Sequence, residues 1–220
     1  MKNEEKLITA IRQKDIALVQ VLLNHDPALL QQNMPGNISL LMFAAYQRDP
    51  ELAQAVRPFV RQADIFEAAA IGMEEVVMEE IKRNPILVNS YSPDGFPLLT
   101  LACFFGHVEL AKSLVESHAD VEQVSDNPMK VYALHSAAAA PSLELVSFLL
   151  SYGAQPNVRQ AAGVTPLHTA AQAGNLDMVH LLLIHGANPD ALMDDGRSAI
   201  DMAEESEKDD IADLLRSLRN

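Results

Sequence analysis

Gly163 and Gly196 are separated by a span of about 33 residues, and that span sets the scale on which this chain repeats itself. Thr165-Pro166-Leu167-His168 has a counterpart one span earlier at Tyr132-Ala133-Leu134-His135, and another one span later at Ser198-Ala199-Ile200-Asp201. A period of this length predicts a row of stacked repeats and argues against a single globular core.

The stretch 163–195 shows what one repeat contains. Thr165 can cap a helix by accepting a hydrogen bond from an orphan backbone N–H. Pro166 suits the first helical turn, where its missing N–H costs nothing. Ala170 and Ala171 permit close helix approach, and Gly174 and Gly186 supply positive φ where two helices must stop. Met178, Val179, Leu181, Leu182 and Leu183 form an apolar face too wide for one repeat to bury, so stacked neighbours must cover it.

This order of Gly, Thr-Pro-Leu-His, Ala-Ala, Gly, apolar run and Gly-Ala resembles the ankyrin repeat. The resemblance implies an all-α solenoid of helix-turn-helix repeats with short hairpin connections. About six to seven repeats are expected, including two divergent caps, in a single array over residues 1–220. The expected repeats are 4–35 (N-terminal cap), 37–61, 62–93, 94–127, 128–159, 160–193 and 194–220 (C-terminal cap). In the first, Lys14-Asp15 breaks two apolar helices; in the second, Arg48-Asp49 does the same, and Glu51–Val60 reads as a helix weakened by Pro58. The pair Ala68-Ala69 follows Ala44-Ala45 well short of a full period, so the hairpin there is shortened or missing. The step from Leu99 to Leu134 slightly exceeds the period, which places about two extra residues at Asp126–Lys130.

Charge and cysteine narrow the partners. A net charge of −14 argues against nucleic acid and anionic membranes, and favours a neutral or basic protein partner. One cysteine, Cys103, excludes an internal disulfide. The N-terminus lacks the apolar core of a secretory signal, no apolar run reaches the roughly 20 residues a membrane span needs, and a cytoplasmic monomer is expected.

Catalysis and metal binding find little support. His135 and His168 recur at the repeat period, whereas metal ligands converge on one point. The resemblance implies that they hold the turn by hydrogen bonds. His25, His118 and His185 fall at helix ends, and His180 lies mid-helix. Cys103 sits in a small-residue pair, which suits packing better than nucleophilic work. No Cys-x-x-Cys, His-Glu-x-x-His or phosphate loop occurs, so no cofactor, no metal and no enzyme is expected.

The resemblance also implies where a partner would be held: on a concave surface of hairpin tips and the outer halves of the first helices. By motif alignment this surface takes in Tyr46, Gln47, Ile71, Phe104, Phe105 and Gln172 on helices. At the hairpins it takes in Tyr91, Phe96, Met129, Arg159, Val164, Leu192 and Arg197. Four of the eleven aromatics, Tyr91, Phe96, Phe104 and Phe105, cluster in the fourth repeat as a ridge of the kind partners desolvate. The competing reading turns Phe104 or Phe105 inward as core. Two functions stand together at this point: a non-catalytic protein-interaction module, and an acidic inhibitor or immunity-type protein that occludes a basic partner.

Overall fold

The structure, a computed structural model, describes residues 3–140 and 142–218. Among these the chain is all helical, with hairpins that form only isolated bridges and no strand. It divides into two compact units, Met1–Pro85 with Ser92–Asp94, and Ile86–Tyr91 with Gly95–Asn220.

The first compact unit holds six helices: α1 (Asn3–Arg12), α2 (Ile16–His25), α3 (Leu40–Ala45), α4 (Pro50–Val56), α5 (Ile65–Ala70) and α6 (Glu74–Arg83). Lys14 and Arg48 adopt left-handed φ of 57° and 52°, so charged residues make the breaks that glycine makes elsewhere. One expectation is corrected here. The helix expected over Glu51–Val60 ends at Val56 and passes into a 3-10 turn, Arg57–Phe59. Pro58 has no N–H to continue the ladder. No bridge forms between α4 and α5, in keeping with the short spacing there.

The second compact unit holds eight: α7 (Leu98–Phe105), α8 (Val108–Glu116), α9 (Ala133–Ala139), α10 (Leu143–Ser151), α11 (Pro166–Ala173), α12 (Leu176–Ile184), α13 (Ala199–Glu205) and α14 (Asp209–Ser217). The odd-numbered helices α7, α9, α11 and α13 pack in succession, and α8, α10, α12 and α14 form a second row behind them. Leu99, Leu134, Leu167 and Ile200 occupy one position on successive first-row helices and are all buried. Each fully buried side chain of this size contributes roughly 1.5–3 kcal/mol.

Local chemistry sets the ends of these helices. Thr165 Oγ accepts from the His168 N–H, and Gly174 stops α11 at φ 74°. The fifth repeat stops differently: Ala140, which precedes a proline, is extended at φ −89° and ψ 148°. A residue before proline is driven out of the helical region, so no glycine is needed. No helix among the described residues is long and apolar enough to cross a membrane. Arg219 and Asn220, the end of the expected last repeat, lie outside the described residues.

Candidate partner-binding surface

In the second compact unit, backbone bonds tie the hairpins into one ribbon. The Gln160 N–H donates to the Val164 carbonyl at 3.0 Å and the Met193 N–H to that of Arg197 at 2.8 Å, each closing a tight turn. The Ser125 N–H donates to the Val131 carbonyl at 2.9 Å across a wider turn, so the extra residues do lie within Asp126–Lys130. Neighbouring turns are stitched by bonds to Gly95 O from Asp126 N (2.7 Å), to Met129 O from Ala161 N (2.9 Å) and to Ala162 O from Asp194 N (2.9 Å). Gly95 is required twice over. Its φ is +85°, and a Cβ there would run into the Asp126 carbonyl.

Side chains projecting from this ribbon make up most of the expected surface. Tyr91, Met129 and Leu192 are 41%, 56% and 49% exposed on three hairpins, large apolar residues that the fold leaves uncovered. Phe96 and Val164 are half-buried, and Gln172 is exposed at the end of α11. Arg159 donates to Leu192 O and to Asp194 Oδ1, both at 2.8 Å. Arg197 Nε and Nη1 reach Asp195 and Glu205 at 2.8 and 2.9 Å. The Arg197 backbone N–H and guanidinium both hold the Asp195 carboxyl below its usual range.

Phe104 and Phe105 meet edge to face, 5.0 Å between centroids at 87°, and Phe105 also stacks with His107 at 6.4 Å. Both rings are half-buried, so the pair stands at the rim between core and surface. The remaining expected residues belong to the first compact unit. Gln47 bonds the Phe43 carbonyl at 2.9 Å, and Ile71 closes α5 half-buried. Tyr46 is half-buried: its hydroxyl donates to Asp94 Oδ2 at 2.6 Å, while Ser92 Oγ donates to Asp94 Oδ1 at 2.6 Å. Burial, and then the Asp94 carboxylate, push the Tyr46 phenol well above its ordinary pKa.

The histidines do structural work. His135 Nε2 lies 2.9 Å from the Val164 carbonyl, and His168 Nδ1 lies 2.7 Å from Thr165 Oγ. Burial lowers both, His135 to about 4. Cys103 is fully buried, and burial pushes its thiol far up, away from the thiolate. Among the described residues no three His, Cys, Asp or Glu side chains could hold a metal.

Two features of the second helix row were missed from the sequence. Leu143 and Ile184 are 38% and 81% exposed there. Glu109, Glu144, Asp177 and Asp210 are each the second residue of α8, α10, α12 and α14, and all are exposed. Their recurrence at close to the repeat period was legible, but an acidic first turn is ordinary helix chemistry and so drew no notice.

The family model described as ankyrin repeats in three copies matches residues 65–160 and 134–219, which together exceed half of the chain. The chain belongs to the ankyrin repeat family. Among curated proteins, this ankyrin chain is 36% identical over 105 residues to ankyrin repeat and SAM domain-containing protein 6 of Mus musculus, covering 48% of the chain and 12% of that protein. The Rattus norvegicus protein of the same name gives 35% over 105 residues with the same coverage. The E3 ubiquitin-protein ligase Ufd4 of Drosophila melanogaster gives 34% over 92 residues, 42% of the chain and 3% of that protein. The ankyrin chain thus spans about an eighth or less of these relatives' lengths. Ankyrin repeats are generally protein–protein interaction modules, and that coarse function extends to this chain.

Proposed function

We propose that this ankyrin chain is a non-catalytic module that grips a partner protein along its hairpin ribbon and the ends of its first helices. The aromatic ridge of Tyr91, Phe96, Phe104 and Phe105 is the centre of that grip. The observation that carries this reading is the exposure of Tyr91, Met129 and Leu192 on a ribbon whose backbone groups are tied to one another. Large apolar side chains on a rigid, pre-ordered support lose little entropy on binding and desolvate well. Replacing Phe104 and Phe105 together by alanine should cut capture of the partner while helix content by circular dichroism is unchanged. A cooperative loss of the fold would instead assign both rings to the core.

The acidic column favours a second reading, an inhibitor that occludes a basic partner. On the hairpin side Asp194, Asp195 and Glu205 are matched by Arg159 and Arg197, whereas on the second helix row Glu109 and Glu144 share Lys112, and Asp177 and Asp210 meet no ion pair among the described residues. Such a partner would associate faster at low salt. An association rate that does not change with ionic strength removes this reading.

A further inference from the structure

The second helix row of the second compact unit contains one groove that is bridged and a neighbouring groove that is not. In the first, Lys112, the fifth residue of α8, places Nζ 3.1 Å from Glu109 of its own helix and 2.5 Å from Glu144 of α10. One ammonium thereby spans the α8–α10 groove and neutralises a carboxylate on each wall. This contact also orients the helices. The fifth residue of each faces the next helix, and the second faces the previous one.

One groove on, the fifth residue of α10 is Ser147, which has no charge to offer. Ser147 shares its helix stripe with Leu143 and Leu150, at i−4 and i+3. Across the groove, Asp177 shares the facing stripe of α12 with Leu181 and Ile184, at i+4 and i+7. Leu143 is 38% exposed and Ile184 is 81% exposed, the latter among the least covered large apolar residues of the chain. Leu150 and Leu181, on the same two stripes, are half-buried. No ion pair among the described residues reaches Asp177. The α10–α12 groove therefore presents apolar side chains on both walls and one carboxylate, Asp177, that no cation among the described residues reaches, whereas Glu144 is already held by Lys112 on the other side of α10.

We infer that the α10–α12 groove is a docking site for a basic amphipathic helix of a partner protein. Its apolar face lies on Leu143, Leu150, Leu181 and Ile184, and its lysine or arginine takes the place that Lys112 takes one groove earlier. A second copy of this chain, with its net charge of −14, is a poor occupant, because it would bring further carboxylates against Asp177. This surface is separate from the hairpin ribbon, so the chain can hold a second partner there whatever the ribbon does.

The test uses the full chain and a fluorescent synthetic helical peptide with leucines at i, i+3 and i+7 and one lysine among them. The lysine is replaced by norleucine in a control peptide. Ser147→Lys supplies the missing ammonium from within and should weaken binding of the lysine peptide about tenfold, as should Ile184→Ser. Both sites are exposed, and unchanged circular dichroism verifies the fold. Leu192→Ala, on the hairpin ribbon, should leave peptide affinity unchanged. The inference is overturned if Ser147→Lys and Ile184→Ser are both silent, or if the norleucine peptide binds equally well. It is also overturned if salt abolishes binding while Ile184→Ser has no effect, since that is diffuse charge attraction. A concentration-dependent dimer seen by light scattering and lost in Ile184→Ser would replace the basic helix with a second copy.

Discussion

Thr165 Oγ lies 2.7 Å from His168 Nδ1, and the Thr165 N–H reaches the same nitrogen at 3.2 Å. One repeat earlier the capping position is Tyr132, which has no hydroxyl near the backbone, and the buried Nδ1 of His135 has no hydrogen-bond partner. The two histidines share a place in the repeat but are held by opposite nitrogens: His135 by Nε2 at the Val164 carbonyl, and His168 by Nδ1 at Thr165.

Tyr132→Thr should therefore stabilise the protein. It supplies an N-cap hydroxyl and a partner for His135 Nδ1, together worth about 1 kcal/mol. The loss of the Tyr132–His135 ring contact at 5.8 Å offsets part of this gain. A rise in Tm of about 2–4 °C is expected by calorimetry, and a fall would mean that the ring contact outweighs the cap.

Acid should destabilise the fold well above the carboxylate range. Burial depresses the His135 pKa to about 4 and lowers that of His168, so the folded chain binds fewer protons than the unfolded one below the unfolded value of about 6.5. The stabilising contribution is complete above about pH 6.5 and is lost as pH falls towards about 4, on the order of 3 kcal/mol for His135 alone. Urea midpoints measured between about pH 7 and pH 4.5 should fall steadily. His135→Thr should be less stable at neutral pH and should flatten the slope.

Glycines with similar φ should differ in how badly they tolerate alanine. At Gly36, φ +92°, nothing lies within 4 Å of an added Cβ, so Gly36→Ala meets only left-handed strain of about 1–2 kcal/mol. At Gly95 the Cβ also strikes the Asp126 backbone and opens the 2.7 Å stitch between hairpins. Denaturant titration should rank Gly95→Ala well below Gly36→Ala in stability.

Thr100 occupies the histidine position of the fourth repeat, 1% exposed, and its hydroxyl has no partner. Thr100→Val keeps the shape and removes an unmet polar group, so it should be neutral or stabilising by about 1 kcal/mol. A loss of more than that by urea unfolding would mean that the hydroxyl is satisfied in solution.

Turns and caps were readable in the chain because their causes are local. Thr165, Gly174 and Gly186 act through their own φ and nearest N–H groups, and the shortened spacing of the alanine pairs exposed the missing hairpin of the first compact unit. Local rules also account for the two departures. Pro58 ended α4 sooner than apolar spacing suggested, and Ala140 stopped α9 without glycine because a proline follows. The candidate surface was less readable. Spacing places Tyr91, Met129, Leu192 and Tyr46 on repeats but does not show that the first three are exposed or that the Tyr46 hydroxyl donates to Asp94, far along the chain.

By itself, the order of residues determined the repeat period, the helix pairs, the leucine and alanine row of the core and the absence of catalytic motifs. Each follows from periodicity or from the conformational freedom of single residues. Stacking alone decided that Lys112 joins carboxylates on two helices while Ser147 leaves the next groove unbridged, and that Tyr46 meets Asp94. Those relationships depend on which rotamer faces which neighbour across a packed boundary, and no spacing within one repeat encodes that distance.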